Sequence, residues 1–513
     1  MIQKRYLINN DITKRAFSPF FIVKFKFLLV FFLSCINSVA YFDMNKNMQD
    51  AYISIINLDF DNAIGKIEIE KKLENKITLL HENYIDVFKV FVFDQKKYYR
   101  QLNLNKSVRL DLLEKIKENK SPYFLYTKAE IHLQSAYCHI KFKNYTKAIF
   151  DLVTSYNYLL ENKKIYPEFV LNNKSISLIK ILLSNVPKEY SWTLDLFFSD
   201  FDINSSVLQI ESILKNDSLS IFHTEILFFM TIFQSKFTNN KQQLTFYLDK
   251  IGDNYKTNLL SNYTTVLILK KLGNNNLCID ILNNRPKNNS IPFYYLDYLH
   301  GLSYLYNLEL SNAKHYFEFF VNNFRGRNFI KSAYFHLASI EHLNNNENEV
   351  NIFLANLKDY GNTYINKDKI ALKHSANLSS YNKFLLRARF LYDGAYYQRA
   401  LDELNKIDEE INFFSNVNMK TEYWYRKARI LQKLESSSNE IVSLFKKSIA
   451  SKSDISTHFQ PMSALQIALI FELQKDYDNS KVFFSKCLEY KSYDYEKSIR
   501  KQAKEGLKRI ANI

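Results

Sequence analysis

The ten histidines are the first place to look for chemistry. His132 and His139 are seven residues apart and share a face if that stretch is helical, while His300, His315, His336 and His342 fall in consecutive segments. A zinc-type site wants His at i and i+4 with a third ligand near, and neither HxxxH nor HExxH occurs. The histidines are therefore expected to be structural or surface groups, and no metal is expected. Cys138, Cys278 and Cys487 are too far apart for CxxC chemistry and read as buried thiols. Gly-x-Ser-x-Gly, Gly-x-x-x-x-Gly-Lys-Ser and Gly-x-Gly-x-x-Gly are missing, so neither a nucleophile elbow nor a phosphate cradle is present, and no cofactor is expected. The acidic run Asp408-Glu409-Glu410 reads as a solvated helix end. A Ser/His/Asp arrangement assembled from distant positions is a matter of geometry alone. The expectation is a protein that is not an enzyme.

The composition narrows what could position such residues. The 513-residue chain has 8 Gly and 7 Pro, with 42 Phe and 36 Tyr. Average usage would give roughly 35 Gly and 25 Pro. Sandwiches and barrels need residues of positive φ at most hairpins, so an all-helical chain with short turns is what remains. The net charge is +16, yet no block of five or six consecutive bases occurs. Nucleic-acid binders usually gather their Lys and Arg on one face or segment, so a nucleic-acid partner is not expected.

Residues 1–26 carry Lys4, Arg5, Lys14, Arg15, Lys24 and Lys26 against Asp11, and an uncharged run of 16 residues follows from Phe27 to Phe42. That run is short of the roughly 18–20 residues that cross a bilayer. With Ser38-Val39-Ala40 at its end it reads as a signal peptide, 1–40, cut after Ala40, which places the chain in the periplasm or cell envelope. An uncleaved N-terminal anchor is the alternative. Phe32-Leu33-Ser34-Cys35 partly matches a lipoprotein box: Ser34 fits and Phe32 does not. Acylation at Cys35 would tether the chain to a membrane.

Self-similarity runs through the rest. One unit reads Trp424-Tyr425-Arg426-Lys427-Ala428-Arg429-Ile430-Leu431, with Ile441, Leu444 and Ile449 after it. The next has Ala468, Phe471, Asp476-Tyr477, Ser480 and Phe484, and an earlier one Ala388, Leu391, Asp393-Gly394-Ala395-Tyr396-Tyr397, Ala400 and Leu404. Further copies hold Gly301, Ala313 and Phe317; Ala338 with Val350; Val266 with Cys278; Ala136, Asn144-Tyr145 and Ala148; and Ala51, Phe60 and Ala63. Val266, Gly301, Ala338, Ala388, Ala428 and Ala468 are 35, 37, 50, 40 and 40 residues apart. Small residues at the eighth and twentieth positions let two helices approach, while bulky ones fill the layer between hairpins.

These slots resemble the tetratricopeptide-repeat superfamily, best over 290–490 and more faintly over 45–160. The resemblance implies a right-handed superhelical solenoid of helix-turn-helix repeats, with the first helices lining a concave groove. Slots that face such a groove in that family hold Tyr295, Tyr298, Tyr306, Phe335, His342, Arg389, Tyr392, Tyr425, Arg429, Gln432 and Lys433 here. Aromatic groups among bases suit a peptide with apolar anchors and acidic groups, although the same Tyr and Phe could be packing between repeats. The Lys/Asn set of the chaperone-binding subclass is not found.

The chain divides into N-terminal repeats (41–165), an apolar hairpin and linker (166–215), a main array (216–492) and a capping helix (493–513). The hairpin, broken at Pro187 and followed by Trp192–Phe198, is either a buried interdomain element or, by similarity of layout to the tetratricopeptide-39 and inclusion-body-clearance family, a mark of a lipid- or membrane-associated adaptor. The Asn-rich stretch 273–289 is expected to be a turn. The expected function is an exported scaffold that binds a protein or peptide; the alternative is a helical nutrient-uptake lipoprotein at the outer membrane.

Overall fold

The computed structural model describes residues 41–117, 119–183, 202–233, 240–287, 291–407, 417–451 and 457–511. The stretch 1–40 expected to be a signal peptide, with Cys35, and also Pro187 with Trp192–Phe198 and Asp408–Glu410, lie outside them. The described residues hold twenty-four α-helices, short 3-10 turns and one isolated bridge between Tyr41 and Asn75. No described helix is long and apolar enough to cross a membrane.

Most helices pair as antiparallel hairpins: α1 (Lys46–Ile56) with α2 (Phe60–Lys72), α3 (Thr78–Phe93) with α4 (Lys96–Glu114), and α5 (Pro122–Lys141) with α6 (Tyr145–Ile165). The middle is less regular, with α7 (Leu171–Leu183), α8 (Ile203–Leu214), α9 (His223–Phe233) and α10 (Lys241–Ile251). Hairpins resume with α11 (Leu259–Leu272) and α12 (Asn275–Asn283), α13 (Tyr295–Tyr306) and α14 (Leu310–Asn323), and α15 (Ile330–Leu343) and α16 (Glu347–Asp359). A single helix, α17 (Asn366–Ser375), precedes α18 (Lys383–Asp393) with α19 (Tyr397–Asn405), α20 (Val417–Lys433) with α21 (Ser438–Ala450), α22 (Phe459–Leu473) with α23 (Tyr477–Glu489), and α24 (Glu496–Ala511). The Asn-rich stretch is thus corrected: its Asn residues cap and start α12, with the Asn274 side chain accepting from the Leu277 N–H.

The hairpin turns share one device. The residue two before the second helix is left-handed: Leu58 (φ 60°), Lys143 (59°), Gly273 (78°), Leu308 (61°), Asn345 (62°), Ala395 (63°) and Lys475 (62°). The next residue caps the second helix, as Asp59, Asn346 and Asp476 do by accepting from the N–H groups of Asn62, Glu349 and Asn479. Low glycine content therefore did not spare the chain its left-handed turns; ordinary residues adopt that conformation at a cost.

The small-residue slots are where the paired helices touch. Ala51, Ala63, Ala136, Ala313, Ala338, Ala388, Ala400, Ala428, Ala468 and Ser480 are fully buried. A Cβ on Gly301 would lie 2.9 Å from the Phe317 ring, and the Ser480 hydroxyl donates to the Ala468 carbonyl at 2.9 Å. At α24, Ile499 and Ala503 are buried, and Gly506 lets the Phe484 ring come against the helix, so this helix closes the array.

Two features break the repeat. Buried apolar side chains form one cluster from Phe42 to Phe390, then three hairpin-sized clusters between Leu385 and Ala503. The change follows the 50-residue step from Ala338 to Ala388, where residues 360–382 with α17 intervene. Asp368 of α17 accepts from the N–H groups of Phe329 (2.7 Å) and Ser332 (2.9 Å), capping α15. The α18–α19 hairpin then docks back on α13: Arg399 Nη1 donates to the Asn307 side chain at 2.6 Å, and Asn275 Nδ2 donates to the Tyr396 hydroxyl at 3.2 Å.

Candidate interaction face

The first helices turn one side toward each other, with α13 packed on α18, α18 on α20 and α20 on α22. That inner side contains the slots expected to face a groove, and it divides into two parts.

Over α13 and α15 the slots are core. Tyr298 is fully buried against Phe317, Phe320 and Phe329, with its hydroxyl 2.9 Å from Ser332 Oγ. Phe335 is 4% exposed and lies beneath His374, ring centroids 6.4 Å apart. His342 Nε2 is 2.9 Å from the Tyr381 carbonyl. Tyr298 and Phe335 are therefore corrected from groove to packing residues: the rings of Phe317, Phe320 and Phe329 close over Tyr298, and the segment inserted between Ala338 and Ala388 lies over Phe335. Tyr295 is partly buried among Tyr263, Tyr298 and Phe329.

Over α18, α20 and α22 the slots keep solvent contact. Arg429 Nη2 donates to the Tyr392 hydroxyl at 2.9 Å, with its guanidinium 5.8 Å from the Tyr392 ring centre. Tyr425 packs on Phe459 (5.2 Å) and His458 (5.7 Å), and His458 stands edge-on to Tyr495 (5.2 Å). Burial, with Arg426 and Arg389 beside it, pushes the His458 imidazole down to about 3, so it is neutral. These groups make a half-open aromatic wall. Lys433 is exposed in the last turn of α20, and Gln432 is half-buried beside it.

Where the two parts meet, side chains converge that the slots did not single out. Lys270, four residues after Val266, places Nζ 4.4 Å from the centre of the Tyr306 ring. Lys367 of α17 points toward the Tyr298 ring, 6.0 Å away. Arg389 and Asp393 come from α18, and Asp393 remains exposed while its carboxyl is raised by burial against the pull of Arg389, Arg426, Lys270 and Lys367. Lys270 holds position 12 and Asp393 position 13 of their units, so mapping all inner slots would have found both. Nothing in the sequence places Lys367.

Two further polar clusters are buried. Asp151 meets His132 Nδ1 at 2.8 Å, His139 Nε2 at 3.1 Å and the Lys106 ammonium, and the Tyr99 hydroxyl contacts His139 Nδ1 at 2.7 Å. Burial opposes its charge, yet the hydrogen bonds from the two histidines hold Asp151 well below the usual carboxylate range. The seven-residue spacing of the histidines does put them on one face, and their shared partner fastens α5 to α6. In the second cluster Lys174 is fully buried, 3.5 Å from Glu130 and 3.4 Å from Glu225. Tyr52 (2.5 Å) and Tyr84 (3.0 Å) donate their hydroxyl protons to Glu225. Among the described residues no group of three or more His, Cys, Asp or Glu is arranged to hold a metal, and Cys138, Cys278 and Cys487 are buried free thiols.

No family model matches the chain, and no curated protein does. Among solved structures the chain is similar to the yeast Tom70 in its crystal structure, at 14% identity over 90% of this chain and 95% of that one. The TM-score is 0.22, and no argument is built on that likeness. The hairpins share buried Ala, Gly and Ser at matched slots and one repeated left-handed turn, and α18 packs on α20 and α20 on α22.

Proposed function

We propose that this chain is an exported, non-catalytic scaffold that binds a protein or peptide on the inner face of its tetratricopeptide-like hairpins, at the cell envelope. The observation that carries the reading is the open wall of Tyr392, Tyr425 and Arg429, three side chains from successive first helices that keep solvent contact while neighbouring slots are packed. Large amphipathic side chains held in place by their neighbours give contact area at small entropic cost, as interaction hot spots do. Of the two buried clusters, the one around Lys174 is enclosed, and the one around Asp151 is spent joining α5 to α6. Export rests on the basic flank, short apolar core and Ser38-Val39-Ala40 of the leader.

The test is substitution of Tyr392, Tyr425 and Arg429 together by Ala, followed by cross-linked capture from native envelopes. Loss of the captured partners with unchanged helicity is expected, and an unchanged set would remove the face from consideration. Mass spectrometry of the mature N-terminus checks the address: a Tyr41 start is expected, whereas a diacylglyceryl Cys35 would make the chain a lipoprotein.

A further inference from the structure

We infer that the junction between α11–α17 and α18–α20 is a binding site for an acidic peptide segment, with Lys270, Lys367 and Arg389 supplying the charge and Asp393 occupying the place of one ligand carboxylate. The inference rests on the proposed inner-face function and specifies its ligand.

Elsewhere in this molecule several partly or fully enclosed cations reach carboxylates. Arg327 reaches Asp94 (3.2 Å), Arg109 reaches Asp86 (2.7 Å), Arg426 reaches Glu422 (2.5 Å) and Arg509 reaches Glu472 (2.7 Å). Even the fully enclosed Lys174 has two carboxylates. Lys270 differs. Its Nζ is shielded from solvent, rests on the Tyr306 ring and has no hydrogen-bond partner. Among the described residues, Lys367 and Arg389 likewise have no ion pair and no side-chain hydrogen bond, although both stand within electrostatic reach of Asp393.

Three cations from three separate elements thus converge without direct partners, and they repel one another. Burial lowers the Lys270 ammonium to about 8 and also lowers Lys367, each working against the other. His336, facing the same space from α15, is pushed down to about 3 by burial and by Lys367, Arg389 and Lys270, so it adds no charge and takes none away. Lys367 is exposed and Arg389 half-buried, so the desolvated charge is that of Lys270, and leaving it unpaired is unfavourable unless something anionic completes the arrangement.

One carboxylate is already there. Asp393 is exposed and feels Arg389, Arg426, Lys270 and Lys367 together, but lies in salt-bridge contact with none of them. The neighbouring charges are committed: Arg426 to Glu422, Arg429 to the Tyr392 hydroxyl, and Asp494 to Lys373 and His374. Asp368 also acts on Lys367 but is committed to the N–H groups of Phe329 and Ser332, so three cations face one uncommitted acid and charge matching leaves room for about two more carboxylates. The walls are Tyr306, Tyr392 and Tyr425, which suits a chain with aromatic or aliphatic side chains between its acids. A phosphate cluster would draw on forked guanidiniums and backbone N–H groups at a helix start. This site offers one guanidinium and two ammoniums: Arg389 from the body of α18, Lys270 from the last turn of α11, and Lys367 from the first turn of α17.

The experiment uses the full mature chain and a fluorescein-labelled decapeptide of alternating Asp/Glu and Tyr, with the matching Asn/Gln peptide and a single-stranded oligothymidylate as comparisons. Fluorescence anisotropy is expected to show the acidic peptide binding about tenfold or more tighter than its amide counterpart, weakening as salt rises. Lys270→Gln, Lys367→Gln and Arg389→Gln should each weaken it roughly fivefold, while Lys270→Arg retains binding. Asp393→Asn should tighten it severalfold, an outcome that a merely structural role for Asp393 would not give. Lys481→Gln, on the outer helix α23, is the control. Equal binding of acidic and amide peptides, indifference to the three substitutions at unchanged melting temperature, or tighter binding of the oligonucleotide would each overturn the inference. If the Tyr392/Tyr425/Arg429 variant loses its captured partners while the acidic peptide fails, this inference falls alone. If that variant keeps its partners as well, the inner-face reading falls with it.

Discussion

His374 Nε2 lies 3.3 Å from the Asp494 carboxylate, joining the inserted helix α17 to the loop before α24 across 120 residues of sequence. Lys373 reaches the same carboxylate at 2.5 Å. Burial works against the Asp494 charge, but the hydrogen bonds from Lys373 and His374 hold its carboxyl below the usual carboxylate range. A carboxylate depressed in this way stabilises the fold above its unfolded value near 4, and the contribution is lost as pH falls through the folded value. Burial also lowers His374, so acid removes stability there too, once the unfolded imidazole begins to protonate below about 6.5. Asp494→Asn is expected to cost about 1 kcal/mol or less and to speed amide exchange in α17 at neutral pH. Unchanged protection of residues 366–375 would show that the link holds nothing in place.

Lys174 should be the most costly single charge to remove. Burial disfavours its protonated form, yet Glu130 and Glu225 keep it charged. Lys174→Met leaves two enclosed carboxylates facing each other and is expected to destabilise by about 3–5 kcal/mol in urea unfolding. The double change with Glu225→Gln should recover part of that loss, since it removes one of the stranded charges.

Close approach at the small-residue slots gives a third expectation. Gly301→Ala pushes a methyl group to 2.9 Å from the Phe317 ring, and Ala468→Leu forces a larger side chain between α22 and α23. Each should cost roughly 1–3 kcal/mol, read as a lower urea midpoint at unchanged slope.

Left-handed turns offer the opposite sign. Lys475 and Glu435 are exposed at φ 62° and 59°. Glycine there relieves the steric cost of a left-handed L-residue but adds freedom to the unfolded chain. The balance predicts that Lys475→Gly and Glu435→Gly each stabilise by roughly 0.5 kcal/mol, measured by thermal unfolding.

Binding of the acidic peptide should also depend on pH in a definite direction. Lys270 titrates near 8 in the free protein, and a bound carboxylate raises that value. Affinity is therefore expected to fall as pH rises through 8 and beyond. Lys367 contributes in the same sense; Arg389 keeps its charge, and His336, pushed down to about 3, is neutral throughout that window. A flat profile from pH 7 to about 9.5 would mean that Lys270 does not touch the ligand.

The hairpins were legible because their determinants are local. Ala468 and Ser480 meet twelve residues apart, and the turn between them is set by Lys475 and Asp476. Two inner slots with the same repeat position met different fates: Tyr425 stays partly open, whereas Tyr298 is sealed. The difference lies in the rings of Phe317, Phe320 and Phe329 that meet Tyr298, the last of them held by Asp368 of a segment whose landing place no periodicity announces. Lys174 and Glu225 escaped notice for a related reason, since Tyr52 and Glu225 meet across 173 residues within the stretch that matched the repeat least. Lys270 and Asp393 occupied readable slots; Lys367 did not.

The apolar interior is undivided as far as Phe390 and segmented thereafter. Pulled from its C-terminus, such a molecule would yield in small steps, shedding α24 and then one hairpin after another, until the tension reached the undivided body and met a single large resistance. The last quarter or so of the chain would thus behave as a compliant tether, and the part before it as the anchor block from which it pays out.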